Sequence, residues 1–173
     1  MLNIMVREQD GNSYRDMRLG MENVEIERKF LIKYLPENIN SYKKLIIEQG
    51  YLSVNPVVRV RRQDDEYYLT YKGKGLMLRE EYNLPLTKES YNHLIEKADG
   101  NIIRKTRYII PIDKSSLKIE LDVFDKPFEG MILAEVEFET QKEADAFVMP
   151  EWFDKDVTED RNYQNSTLSM KKL

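Results

Sequence analysis

From Val24 onward the chain alternates with the two-residue period of a β-strand. In Val24-Glu25-Ile26-Glu27-Arg28-Lys29-Phe30, Glu25, Glu27 and Lys29 fall on every second position, framed by Ile26 and Phe30. Successive strand side chains point to opposite faces, so two carboxylates and an ammonium share one face, about 7 Å apart per two-residue step. The pattern returns in Arg59/Arg61, Lys72, Arg79/Glu81, Lys105/Arg107, Glu120/Asp122 and Glu135/Glu137. The residues between these charges are apolar or aromatic: Val60, Leu121 and Val136, with Tyr71 next to Lys72.

The first strand spans about 23–33 and ends before Pro36 and Asn38-Ile39-Asn40. Tyr42, Leu45 and Ile46 then recur at helical spacing, which predicts a short helix ended by Gly50. The runs Tyr51–Val54, Val57–Arg62 and Glu66–Lys72 are rich in β-branched and aromatic residues; Asn55-Pro56 and Asp64-Asp65 separate them into three strands. Gly73-Lys74-Gly75 forms a loop before a strand over Leu78–Leu86. Thr87, followed by Glu89 and Ser90, opens a helix striped by Tyr91, Leu94, Ile95 and Ala98 and closed by Asp99-Gly100. Strands resume at Ile102–Ile112, Leu117–Phe124 and Met131–Phe138, with turns at Asp113–Ser116 and Asp125–Gly130. Thr140 caps a helix over 141–148 whose stripe is Ala144, Phe147 and Val148 and which Pro150 stops. Trp152-Phe153, placed to cover a mouth of the barrel, the acidic stretch Asp154–Asp160 and a last helix near 164–172 complete the chain. Eight strands linked by short turns predict a β-dominated α+β fold, an eight-stranded antiparallel closed barrel with a few peripheral helices.

The length of 173 residues suits one domain over 21–173. Residues 1–20 read as a mobile N-terminal extension, with Met21 as the natural start. The apolar start is too short for a signal peptide, and no run of about 18 apolar residues spans a membrane, so a cytoplasmic protein with no membrane partner is expected. The chain has no cysteine and a single histidine, His93, on the polar side of a helix, which excludes thiolate and multi-histidine metal sites. Any metal must be held by oxygen. A net charge of −4, from 27 basic and 31 acidic residues, gives no overall basic surplus for nucleic acid.

Charge at 34% of positions changes the picture once its arrangement is considered. A solvated sheet face mixes signs with Ser, Thr and Gln. Here Arg59/Arg61 and Lys105/Arg107 are purely cationic, whereas Glu120/Asp122 and Glu135/Glu137 are purely acidic. Seven carboxylates and seven cations converging inside a barrel require an ionic guest, because desolvating each ion costs several kcal/mol. A phosphate chain with divalent metal fits: Arg and Lys hydrogen-bond phosphate oxygens, and clustered carboxylates hold hard cations. A nucleic-acid groove would not carry the carboxylates.

Glu25-Ile-Glu27-Arg-Lys29 resembles the ExExK signature of the CYTH superfamily of triphosphate tunnel metalloenzymes. Arg59-Val-Arg61, Leu69-Thr-Tyr-Lys72, Arg79-Glu-Glu81, Lys105-Thr-Arg107-Tyr108, Glu120-Leu-Asp122-Val-Phe124 and Ala134-Glu135-Val-Glu137 follow in the family's order. The tail from Pro150-Glu-Trp152-Phe153 to Tyr163-Gln-Asn165 is similar to that of short bacterial members, so the resemblance covers about residues 22–170. It implies hydrolysis of inorganic triphosphate to pyrophosphate and phosphate with Mg²⁺ or Mn²⁺. Alternatives are a class IV type adenylyl cyclase, a thiamine triphosphatase and a non-catalytic polyphosphate- or nucleotide-binding protein; the assembly is compatible with a homodimer.

Carried over by position, Lys29, Arg59, Arg61, Lys72, Arg79, Lys105 and Arg107 bind phosphates, and Glu25, Glu27, Glu81, Glu120, Asp122, Glu135 and Glu137 hold metal and water. Asn83 stands where the family often has a further acid. Catalytic roles fall to Lys29, Lys105 and Tyr51: either Lys105, oriented by Tyr51, or metal-bound water handles the proton of the attacking water, and Tyr51 is equally suited to packing the barrel.

Overall fold

The computed structural model describes residues 4–7, 14–17 and 24–173. Its main feature is a ring of eight strands: β1 (Val24–Ile32), β2 (Lys43–Val54), β3 (Val57–Gln63), β4 (Glu66–Lys72), β5 (Leu78–Pro85), β6 (Asp99–Pro111), β7 (Lys118–Phe124) and β8 (Ile132–Glu137). All neighbours are antiparallel in the order β8-β7-β6-β2-β3-β4-β5-β1, and β1 pairs with β8 to close the barrel. The strand β9 (Phe153–Asp156) pairs with Phe30 and Ile32 on the edge of β1 whose start, Val24–Ile26, pairs with β5. Strand β1 is thus bonded along both edges. Separately, Ile4–Arg7 and Tyr14–Met17 form an antiparallel hairpin. The rest of the expected extension, and Met21, lie outside the described residues.

Register places the alternating charges side by side around the lumen. Lys29 stands opposite Glu135, Glu135 opposite Glu120, Arg107 opposite Asp122, Lys72 opposite Glu81 and Glu25 opposite Arg79. The apolar residues between them face out or close one end. Inside, Ile103, Phe124 and Leu133 meet Tyr51 and Leu168, the latter from helix α3 (Asn165–Ser169). Outside, Ile26, Phe30, Leu121 and Val136 form a second cluster with Ala144 of helix α2 (Gln141–Ala146) and Phe153 of β9. Arg28, on this outer face, ties the layer down by donating from Nε and Nη2 to Asp156 Oδ2 (3.0 and 2.5 Å) and from Nη1 to the carbonyls of Ala144 and Phe147 (2.8 and 3.2 Å).

The structure corrects the expected helix before Gly50. That segment is the first half of β2, paired with β6 on one edge and β3 on the other, and only Ile39–Ser41 makes a 3₁₀ turn. Two ladders outweigh the local helical spacing, and the set that matters is Leu45, Ile47, Gln49 and Tyr51, which faces inward. Gly50 ends no helix. A Cβ there would lie 2.6 Å from Ala98 Cβ and 2.7 Å from Ile95 Cδ1, where the end of helix α1 (Lys88–Ile95) packs on the barrel.

Helix α1 has the expected Thr87 cap, and α2 has a full capping box between Thr140 and Glu143. Asp99-Gly100 begins β6 rather than closing α1. Helix α2 stops at Ala146, and Val148, expected on its apolar stripe, is 85% exposed. Trp152 and Phe153 do not cover a mouth: they meet edge to face with centroids 4.6 Å apart, and Phe153 packs on Phe30 at 4.9 Å on the outer wall. Among the described residues no helix is long and apolar enough to cross a membrane.

Because Gly50 leaves no room for a side chain, Gly50→Ala should destabilise the protein by about 1–3 kcal/mol and lower Tm by roughly 2–12 °C. Thermal unfolding followed by circular dichroism checks this; an unchanged Tm would mean that α1 does not press on β2 as described.

Candidate active site

The lumen holds a polar cavity of about 200 Å³. Lys29, Arg59, Arg61, Lys72, Arg79 and Arg107 line it from the basic side, and Glu25, Glu27, Glu81, Glu120, Glu135 and Glu137 from the acidic side. The structure therefore brings together twelve of the fourteen expected phosphate and metal residues. Lys105 and Asp122 lie behind this lining with fully buried side chains. Tyr51 also lines the cavity, and Gln164, Asn165 and Ser166 border it from the C-terminal segment.

Most of the charges are paired in a chain around the wall. Lys29 Nζ contacts Glu135 Oε1 at 2.7 Å and Glu27 Oε1 at 3.7 Å. Burial alone would lower the Lys29 ammonium, but Glu135 and Glu27 outweigh it and hold it above its ordinary value. Arg79 donates to Glu25 Oε2 at 2.8 Å and Glu27 Oε1 at 3.0 Å. Lys72 bonds both oxygens of Glu25, at 3.0 and 2.8 Å, and also pairs with Glu81. Although burial opposes it, the cations Lys72 and Arg59 hold the Glu81 carboxyl down at about 2. Arg107 forks onto Asp122, reaches Glu135 Oε2 at 2.5 Å and pairs with Glu120. Among the described residues no group of three acidic side chains already forms a metal cage, which follows from this pairing.

Three charged groups escape the pattern. Arg59 is 5% exposed, its only carboxylate contact among the described residues is Glu81 Oε1 at 3.9 Å, and its Nε has no partner. Arg61 donates from Nε and Nη2 to the neutral Gln49 Oε1 at 3.1 and 2.9 Å and makes no ion pair among the described residues. Burial, with repulsion from Arg59 and Arg107, lowers its guanidinium to about 10. Glu137, across the lumen, makes no ion pair among the described residues; burial and the nearby Glu25, Glu120 and Glu27 push its carboxyl above the usual range. A surplus of positive charge on β3 thus faces a surplus of negative charge at the end of β8.

Lys105 pairs with Asp122 and lies over the Phe124 ring at 5.2 Å. Burial first, and the nearby Arg107 and Arg61, lower its ammonium to about 8 against the pull of Asp122 and Glu135. The Tyr51 hydroxyl is bonded to Gln49 Nε2 at 3.0 Å rather than to Lys105. Asn83 takes a specific position: its amide donates to Glu81 Oε1 at 2.8 Å and accepts from Thr70 Oγ1 at 2.7 Å, so it orients an acid instead of supplying one. His93 is exposed and remote from the cavity lining. Gln49 carries no charge and lies in a segment whose local spacing predicts a helix; the two-residue step from Gln49 to Tyr51 is the signal that places both on one face of β2.

The CYTH domain model matches residues 23–171. This chain belongs to the CYTH family. A protein of Nitrosomonas europaea named inorganic triphosphatase is 36% identical over 149 residues, covering 84% of this chain and 97% of that protein. An inorganic triphosphatase of Acetivibrio thermocellus is 33% identical over 155 residues, covering 83% of this chain and 92% of that protein. A solved structure described as an inorganic triphosphatase aligns with a TM-score of 0.65 at 33% identity, covering 86% of this chain and 95% of that one. The closed barrel fold is therefore shared with a solved relative over most of both chains.

Proposed function

We propose that this CYTH protein hydrolyses inorganic triphosphate to pyrophosphate and phosphate inside the barrel, assisted by Mg²⁺ or Mn²⁺. The observation that carries the reading is the pair of guanidiniums, buried Arg59 and half-buried Arg61, facing the lumen without a close carboxylate. Two adjacent forked cations offer hydrogen bonds suited to adjacent phosphoryl groups, and burial makes an unpaired cation costly unless an anion arrives. The names of the two relatives, both inorganic triphosphatases, support the same substrate class.

The acidic set fits a hard divalent cation, since it consists of oxygen donors only and Glu137 is raised by burial and by neighbouring carboxylates whose repulsion a cation would relieve. Glu25, Glu27, Glu81, Glu120, Glu135 and Glu137 would hold it, releasing some of their present lysine and arginine partners. When bound, such a cation offsets charge on the transferring phosphoryl group and lowers the pKa of a coordinated water. Arg59 and Arg61 bind the phosphate chain, while Lys29, Lys72, Arg79 and Arg107 exchange carboxylate oxygens for phosphate oxygens. We assign to Asp122 the holding of Lys105 and Arg107, to which its oxygens are already committed. Lys105 lies behind the lining, so it takes up the proton of the attacking water through one intervening water rather than by direct contact.

Phosphate release from inorganic triphosphate, thiamine triphosphate, ATP and long-chain polyphosphate, with cyclic AMP measured on ATP, tests the reaction. We expect the highest kcat/KM on inorganic triphosphate, loss of turnover in excess EDTA, and a fall on the order of 10²–10³-fold in kcat/KM for Arg59→Ala. Turnover that survives removal of metal, or cyclic AMP as the main product, would overturn the proposal.

The role of Lys105 predicts a pH profile. With its pKa lowered to about 8, the neutral amine grows as pH rises through that value, so kcat should rise on this limb. Lys105→Arg keeps the charge but cannot release its proton, and should lose most of kcat together with the limb. A variant with wild-type kcat and an unchanged profile would leave Lys105 as a binding cation only.

A further inference from the structure

Gln49 is fully buried, and its amide touches two tunnel residues in an order that chemistry dictates. Its Oε1 accepts two hydrogen bonds from Arg61, at 3.1 and 2.9 Å. A guanidinium has donors and no acceptor, so the oxygen end of the amide must face Arg61 and the NH₂ end must face Tyr51. At 3.0 Å from Tyr51 Oη, that nitrogen can only donate, and the phenol oxygen can only accept from it. The phenolic proton is therefore left free for another partner.

Tyr51 is 2% exposed, and its ring packs with the apolar group at one end of the lumen. The charged groups that act on its hydroxyl from the facing strand, Arg59 and Arg61, carry donors only, as does Lys29. Among the described residues Tyr51 Oη donates to no acceptor. Strand register keeps this arrangement in place: Gln49 is opposite Arg61 and Tyr51 opposite Arg59 across β2 and β3. On the other edge, the register with β6 shifts between Gln49 and Tyr51, from Ile103 to Asp99. Such an irregularity re-aims side chains beside a site.

We infer that Gln49 is a positioning residue that holds the Arg61 fork in the lumen and turns the Tyr51 hydroxyl proton toward an oxygen of the bound phosphate chain. The inference rests on the triphosphatase reading above and deepens it, because it converts a neutral buried amide into the device that makes Tyr51 a donor to the substrate. One amide thereby sets two of the lumen's donors. A phosphoryl oxygen is the acceptor that this ring of donors lacks.

The test uses Gln49→Glu, nearly the same in shape but an acceptor at both oxygens. The carboxylate still accepts from Arg61, yet it draws the Tyr51 proton to itself. We expect kcat on inorganic triphosphate to fall on the order of 10²-fold in Gln49→Glu, as in Tyr51→Phe, with little further loss in the double variant. Gln49→Leu, which releases Arg61 as well, should in addition raise KM and weaken tripolyphosphate binding measured by calorimetry without metal. Thermal unfolding of each variant confirms that it is folded; if Gln49→Leu does not fold, Gln49→Glu and the double variant decide. Wild-type kcat in Gln49→Glu, or losses that multiply in the double variant, would overturn the role of Gln49. Wild-type protein that fails to hydrolyse inorganic triphosphate in the same assay would instead overturn the proposed function.

Discussion

Charge compensation inside a closed wall is the constraint on which this structure depends. Removing an ion from water costs several kcal/mol, and the cost is recovered only where an opposite charge and further hydrogen bonds are in place. The barrel meets this condition by register. Lys29 and Glu135, Arg107 and Asp122, and Lys72 and Glu81 are direct cross-strand partners, so forming the sheet also forms the ion pairs. Where the pairing lapses, at Arg59, Arg61 and Glu137, lies the charge imbalance that the proposed phosphate chain and metal would offset.

Strand β1 connects this interior to the rest of the fold. Its inward side gives Glu25, Glu27 and Lys29 to the lumen, while its outward side gives Ile26 and Phe30 to the apolar layer beneath α2 and β9. Arg28 clamps that layer through Asp156 and two carbonyls. Every second residue therefore does a different job: one set carries charge into a desolvated space and the other supplies the apolar burial that offsets its cost. At one end, Leu168 of α3 packs with Ile103, Phe124 and Leu133, which limits access of water from that side.

Alternating strands and charges were legible in the sequence because a two-residue period maps directly onto opposite faces of a sheet. Seven of the barrel strands, the last four residues of β2 and the caps at Thr87 and Thr140 follow from such local signals. Residues 43–50 did not, since Leu45 and Ile46 fit a helical spacing locally and only the two flanking ladders, distant in sequence, decide for a strand. Strand β9 was hidden by Asp154 and Asp156, whose acidity suggests a loop until Arg28 is found against Asp156. Depth was equally unreadable. Lys105 and Arg107 alternate as a pair, yet Lys105 sits behind the lining and Arg107 within it, because strand tilt and neighbouring Ile47 and Phe124 set the level of each residue along the lumen. Gln49, a neutral residue among charges, gave no charge pattern to follow.

The claim that the lumen binds a phosphate chain through its two uncompensated arginines is tested most directly by a crystal structure with tripolyphosphate bound, grown with metal chelated to prevent turnover. The account predicts phosphate oxygens inside the barrel within hydrogen-bonding distance of the Arg59 and Arg61 guanidinium groups, with Tyr51 Oη beside one of them. Tripolyphosphate bound only outside the barrel, with Arg59 and Arg61 turned onto carboxylates of the wall, would contradict it.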